Sequence, residues 1–276
     1  MSSSPETFEI PLEAAEAYEE RFVPAIFAEW APHLVDAADV MTGQRVLDVA
    51  CGTGIVARTA ADRVGPGGRV VGVDRNEAML TVAGRIRPDL TWRRADAAAL
   101  PFDDGSFDAV LCQMALMFFP DDVAALREMG RVAATGGTVA LVVPASLDAQ
   151  PAYGPFVEMA ARHAGPEAVS LLGTYWRCGD LATLSSSIEE AGLAVVAART
   201  RRGTARFRSA DALVATEVEG SPLADRIDDV VHQRIRDGAR EVLAPFTDPS
   251  GSVAAPFVCH IVVAQPGPNV GEERAP

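Results

Sequence analysis

The sequence predicts an α/β fold: a doubly wound, mostly parallel sheet with helices on both faces. Three observations carry this prediction. Short apolar runs alternate with helical periods between residues 45 and 144, glycine-rich or acidic turns separate them, and "VLDVACGTG" runs from a buried strand into a glycine turn. Strands alternating with helices imply parallel neighbours, right-handed crossovers and a ligand beyond the carboxyl ends of the strands.

Each element has its own signal. "IPLEAAEAYEERF" opens on a proline and reads as a helix; "VPAIFAEWAPHLV" reads as a second short helix opened by Pro24. Tyr18, Phe22, Ile26 and Trp30 recur every four residues and form one stripe if the helix persists across Pro24. That stripe reads either as a lid or as ordinary amphipathic packing. Residues 46–50 form a buried strand, 55–64 a helix, and "GPGG" turns the chain into a strand over 69–74. A helix over 76–86 and the short strand "LTWRR" follow, and "FDDGS" precedes a strand over 107–113. "DDVAALREMGRVAATGG" opens on capping acids, carries apolar residues on one face and ends at glycine, before a strand over 138–143. Residues 145–179 are irregular and aromatic-bearing. A helix near 180–191, a strand near 193–201, a mainly helical stretch over 205–245 and the closing strand "APFVCHIVVAQ" complete the chain. The tail after residue 265 is expected to be disordered.

Composition narrows the function classes. The 276 residues suit one large domain, at 49% hydrophobic and 22% charged. No apolar run approaches the roughly 18–20 residues of a membrane span, and the N-terminus lacks a secretory pattern. The four cysteines are far apart, without a CxxC pair, which predicts reduced thiols in a cytoplasmic protein. No clustered metal-ligand set is visible, so no metal is expected. All 24 basic residues are arginine. The absence of lysine excludes a Schiff-base enzyme, a lysine-anchored pyridoxal enzyme and a lysine-bearing P-loop. A net charge of −14 disfavours nucleic acid as a partner. The lysine-free, alanine- and arginine-rich composition resembles that of a GC-rich bacterial gene.

Gly52 and Gly54 let the backbone approach a ligand, and the helix after them aims its N-terminal amides at the same spot. "GTGIVA" also satisfies a dinucleotide fingerprint, and a plain turn without ligand is a further reading. Three carboxylates weigh on the choice. Asp48 lies in an otherwise apolar strand, Asp74 ends the second strand and is suited to ribose hydroxyls, and Asp96 follows the third and is suited to an adenine amino group. An acid-rich site without a basic partner suits a ligand that is cationic and lacks phosphate.

With "VLDVACGTG", "VVGVDRNEAML", "ADAAALPFDDGSFDAVLCQMALMFFPD" and "ATGGTVALVV" in this order, the chain resembles class I S-adenosylmethionine-dependent methyltransferases over roughly residues 40–144. The similarity is to the branch of ubiquinone- and menaquinone-pathway C-methyltransferases and many small-metabolite enzymes. The resemblance implies a Rossmann-like seven-stranded sheet with an antiparallel last strand and a helical cap. It implies an N-terminal lid over 1–40, a cofactor core over 41–144, remaining strands with substrate-cover helices over 145–265, and the tail over 266–276. It further implies that Asp48, Ala50, Cys51, Gly52 and Gly54 line the methionine end of the cofactor. Asp74 would hold the ribose, with Arg75 and Met79 beside the adenine. Asp96 and Ala97 would read the adenine edge, and Cys112 and Gln113 would contact the cofactor's amino group and border the acceptor. Ala50 departs from the family pattern, which has glycine there.

The acceptor is less legible. Tyr18, Phe22, Met117, Tyr153 and Trp176 are candidates for its pocket, and the arginines remain possible partners for a carboxylate on it. The acceptor reads as a small, largely apolar metabolite, of a kind typical of secondary metabolism. His163 is the candidate base, on a helical face with Phe156 and Ala160, against the plainer reading of a packed or surface histidine. His33 reads as a packed residue of the N-terminal helices, His260 as packed between sheet and helix, and His232 as solvated. Two alternatives stand beside methyl transfer. One is a non-transfer reaction such as cyclisation on the same fold; the other is a non-catalytic cofactor-binding partner protein. The expected state is a monomer or homodimer.

Overall fold

The computed structural model describes residues 10–267. The part of the expected disordered tail beyond residue 267 lies outside the described residues. The chain opens with a continuous helical rod: α1 (Leu12–Ala17), a π-helical segment (Tyr18–Phe27) and α2 (Ala28–Ala37). There follow β1 (Arg45–Val49), α3 (Ile55–Val64), β2 (Arg69–Asp74), α4 (Glu77–Ile86), β3 (Thr91–Arg94) and β4 (Phe107–Gln113). Next come α5 (Asp122–Val132), β5 (Ala133–Pro144), α6 (Tyr153–Ala164) and α7 (Glu167–Gly173). The chain closes with α8 (Leu181–Glu190), β6 (Leu193–Phe207), α9 (Ala210–Glu217), α10 (Asp229–Leu243) and β7 (Val253–Pro266).

The seven strands form one sheet in the order β3-β2-β1-β4-β5-β7-β6. The pairs from β3 to β5 are parallel, while β7 runs antiparallel to both β5 and β6. The order reverses at β1, so the crevice for a ligand lies outside the carboxyl ends of β1 and β4. Each central strand feeds two cores, because alternate side chains point to opposite faces. On β1, Val46 joins the core of α2, α3 and the later helices, whereas Leu47 and Val49 join the core of α5 and α8. Side-chain caps start α4, α5, α8, α9 and α10: Asn76, Asp121, Asp180, Ser209 and Asp228 each accept a backbone N–H of the first turn.

Several boundaries differ from the sequence reading, each for a physical reason. Pro24 does not open a helix but lies inside the π-helical segment. A proline lacks the N–H of the α-helical ladder and clashes with the preceding turn, and the wider π winding relieves both faults. α5 ends at Val132, and "ATGG" already belongs to β5, with Gly136 at φ 76°. β6 runs on to Phe207 because its antiparallel pairing with β7 continues to Phe207 opposite Val253. The stretch 145–179 carries two α-helices, α6 and α7. No helix of the described residues is long and apolar enough to cross a membrane. All four cysteines are free thiols.

Candidate functional site

The turn after β1 contains three residues of positive φ: Ala50 at 54°, Gly52 at 54° and Gly54 at 88°. Gly54 caps α3 in the left-handed conformation. The glycine requirement at Gly54 comes from below the turn. A Cβ there would stand 2.3 Å from the Trp92 ring, which packs under the turn and against Gly72. Trp92 itself is held by its indole N–H, which donates to the Arg87 carbonyl at 2.9 Å. At Gly52 a Cβ would stand 3.6 Å from the Tyr18 ring and hydroxyl, an ordinary contact, so the left-handed backbone is what favours glycine there.

The carboxylates of the turn are held by backbone amides. Asp48 accepts the Ala57 N–H at 2.9 Å from the first turn of α3. Asp74 accepts the Gly52 N–H and the Asn76 N–H, both at 2.8 Å. Neither carboxylate makes an ion pair among the described residues. Burial therefore pushes Asp48 up to about 8, against the Ala57 hydrogen bond and with help from the charge of Asp74. Burial also raises Asp74, opposed by its backbone hydrogen bonds. A buried acid without a cationic partner is costly, and a bound cation removes that cost.

Two orphaned atoms sharpen the ligand test. Gln113 is buried at the end of β4, and its side-chain N–H donates to the Phe27 carbonyl at 3.1 Å. Its Oε1 is buried without a hydrogen-bond partner, as is the Thr53 hydroxyl inside the turn. A buried acceptor left unmet costs about 1–3 kcal/mol unless a ligand donor meets it. The ammonium of S-adenosylmethionine supplies such a donor, and the unpaired acids suit its two positive charges. The residues present fit the group.

The other cofactor candidates sit at the same sheet edge. Cys51 donates its N–H to the Val73 carbonyl at 2.9 Å, tying the turn to β2, and Cys112 is buried at the end of β4. Met79 lies in the first turn of α4, and Arg75 is exposed beside it. Asp96 is exposed and accepts the Ala98 N–H at 2.9 Å, with Ala97 half-buried between them.

A second cavity adjoins the turn. Phe22, Ile26, Phe27, Met114, Tyr153 and Tyr175 line this narrow cleft together with Trp176, Glu217 and Phe257. Tyr18 is the wall between turn and cleft: its ring stacks on Phe22 at 5.5 Å and lies 5.2 Å from Phe27. Of the five acceptor candidates, Phe22, Tyr153 and Trp176 line the cleft; Tyr18 and Met117 do not. Met117 is buried in a short 3-10 turn, where its carbonyl accepts the Arg177 Nε–H at 3.0 Å.

The histidines do not enter this site. His163 is exposed in the last turn of α6, although Phe156 and Ala160 on the same face are buried. The helix ends there, so its final turn reaches solvent, where an imidazole complements the helix dipole. His260 is buried, with Nδ1 at 2.9 Å from the Thr200 hydroxyl and Nε2 at 3.0 Å from the Gly179 carbonyl. Both of its nitrogens are thereby occupied. His33 is half-buried, edge-on to Trp30 at 6.1 Å, and His232 stands 3.3 Å from Glu219. The group that sequence reading missed is Glu217, at the end of α9. Its signal was an acid three and four residues after the buried Val214 and Leu213, on their face of the helix.

Residues 47–141 match the methyltransferase domain family. The matched segment runs from β1 into β5 and contains the glycine turn. The chain is 44% identical over 127 residues to a demethylmenaquinone methyltransferase of Renibacterium salmoninarum, covering 46% of this chain and 51% of that protein. It is 38% identical over 119 residues to a 2-phytyl-1,4-naphtoquinone methyltransferase of Synechococcus elongatus, covering 41% and 51%. The chain thus spans about half the length of the curated relatives it matches. The YcgJ protein of Bacillus subtilis shares the fold, with a TM-score of 0.58 at 20% identity over 87% of this chain and 100% of that one.

Proposed function

We propose that the protein transfers a methyl group from S-adenosylmethionine to a small, largely apolar acceptor. The observation that carries this reading is the buried acidic turn, without an ion pair among the described residues, together with the unmet Oε1 of Gln113 at the end of the neighbouring strand β4. When bound, the cofactor supplies an electrophilic methyl on a sulfonium with a neutral leaving group. The chain's own work is then to hold donor and acceptor in line and to keep water out. Asp48, the backbone of Ala50, Cys51, Gly52 and Gly54, and Gln113 are assigned to the methionine end. Asp74 is assigned to the ribose, where each of its oxygens keeps a lone pair beyond its amide bond. Arg75, Met79, Asp96 and Ala97 are assigned to the adenine end, and Cys112, with Gln113, to the cofactor's amino group and the border of the acceptor.

The aromatic cleft is assigned to the acceptor, with residues 1–40 as lid and 145–265 as cover. A flat, apolar wall suits the quinone-type acceptors named for the relatives. The Glu19–Arg58 ion pair, at 2.9 Å, latches the lid onto α3. Incubation with S-adenosylmethionine and a panel of naphthols, quinols and amines, read by mass, tests the proposal. The expected product is an acceptor heavier by one CH₂ with release of S-adenosylhomocysteine. An isomerised product of unchanged mass would overturn methyl transfer in favour of cyclisation.

A further inference from the structure

Among the described residues, Glu217 is the one acid lining the aromatic cleft, and no cation lines it. Facing it are two phenols, Tyr153 on α6 and Tyr175 after α7; both rise in pKa partly because of the Glu217 charge. The hydroxyl of Tyr153 is buried and lacks a hydrogen bond of proper geometry, although it stands near enough to Glu217 for each to affect the other's titration. The remaining walls are aromatic or aliphatic, Phe22, Ile26, Phe27, Met114, Trp176 and Phe257, and the Trp176 indole N–H is a further buried donor without a partner. Phe22 also closes over the end of α9, where a Cβ on Gly220 would stand 2.9 Å from its ring. An otherwise greasy cleft therefore ends in one carboxylate and one unmet hydroxyl, an arrangement that needs a polar group on the occupant.

We propose that this end of the cleft is a subsite for a phenol-type hydroxyl of the acceptor, with Glu217 as its proton acceptor and Tyr153 as the second hydrogen-bonding partner. The proposal rests on the methyl-transfer reading. The acceptor O–H bond breaks, its proton passes to a Glu217 oxygen, and its electron pair stays on the acceptor. The electron-rich acceptor then bonds to the methyl carbon, while the C–S pair goes to sulfur. Burial pushes Glu217 up to about 7, opposed by Tyr153, so the carboxylate can both take and release a proton near neutrality.

The test uses the full chain with S-adenosylhomocysteine bound, titrated at pH 8 by calorimetry with 2-naphthol, 2-methoxynaphthalene and 2-(aminomethyl)naphthalene. Wild type is expected to prefer the naphthol over its methyl ether by about tenfold, roughly one charge-assisted hydrogen bond. Glu217→Gln should reduce that preference to about threefold or less, and Tyr153→Phe should reduce it partially. Lowering the pH to 5.5 should reduce it in wild type and leave Glu217→Gln unchanged. A preference that survives Glu217→Gln in a folded variant overturns the proposal, as does a preference of wild type for the aminomethyl probe. Binding of S-adenosylhomocysteine, measured first, separates failure of this subsite from failure of the methyl-transfer reading.

Discussion

The glycine turn and the aromatic cleft face each other across Tyr18, and they are built in opposite ways. Around the turn, nearly every polar group is tied down by short-range backbone bonds: Asp48 to Ala57, Asp74 to Gly52 and Asn76, and Cys51 to Val73. The unmet atoms there, on Gln113 and Thr53, are neutral. Around the cleft, the walls come from six separate stretches of the chain, and the polar groups include a carboxylate and a phenol without a proper bond between them. The N-terminal rod beside it carries a ten-residue π-helical segment around a proline. The contrast teaches that the side proposed for the cofactor is preorganised, whereas the side proposed for the acceptor is assembled by packing and keeps unmet polar atoms.

The largest expected effect breaks the preorganised side. Gly54→Ala places a Cβ 2.3 Å from Trp92 at φ 88°, combining overpacking with left-handed strain. It should destabilise the protein by about 2–4 kcal/mol, read as a lowered denaturant midpoint, and abolish cofactor binding. If Gly54→Ala melts like wild type, the wedge of Trp92 is not what shapes the turn.

The next effect concerns the unsatisfied side. Glu217 lies near 4.5 when unfolded and near 7 when folded, so the folded state holds its proton more tightly. Stability should then fall as pH rises through that window and level off above it, a cost of about 3 kcal/mol. Glu217→Gln removes the titration. The variant should match wild type near pH 5 and be the more stable of the two at pH 8, while losing the hydroxyl preference. Thermal melts at both pH values check this; equal pH slopes would contradict it.

Asp48 extends the same logic to binding. It is raised to about 8 in the free protein, so a cationic ligand should ionise it and release protons. Calorimetry at pH 7 in two buffers of different ionisation enthalpy should show net proton release with S-adenosylmethionine. Proton uptake would contradict the electrostatic account of the turn.

The smallest effect sharpens the description of the turn. Ala50 sits at φ 54°, where the related methyltransferases resembled by the sequence have glycine. Ala50→Gly should relieve left-handed strain and stabilise the protein by up to about 1 kcal/mol, partly offset by unfolded-chain entropy. Chemical denaturation resolves a change of that size.

The same contrast explains what was legible in the sequence. The span from β1 to β4 is written in local signals: β-branched runs, capping residues such as Asn76 and Asp121, and glycines at turns. The helix over Ile55–Val64 and the strands over Arg69–Asp74 and Phe107–Gln113 were readable to the residue. Local signals failed where tertiary contacts decide. Pro24 looked like a helix start, yet packing of Phe22, Ile26 and Phe27 into the cleft carries the rod through it. β6 outran its prediction because β7 pairs along its whole length. The Trp92 wedge under Gly54 was invisible, since the pair is 38 residues apart and meets only once β2 and β3 align. Glu217 was hidden in an ordinary helical stretch; only the packing of the end of α9 against Phe22 brings that acid to the cleft. His163 misled for the converse reason: its helical face is buried one turn earlier and ends in solvent at its own position.

The central claim is that the turn holds a sulfonium cofactor rather than a dinucleotide. Calorimetry of wild type and Asp74→Ala with S-adenosylmethionine, S-adenosylhomocysteine and NAD tests it most directly. The account predicts binding of the two sulfur ligands on the micromolar scale and none of NAD. It also predicts a loss of about 1.5–3 kcal/mol when the carboxylate that holds the Gly52 amide is removed. Binding of NAD instead, or sulfur-ligand affinity unchanged in Asp74→Ala, would contradict it.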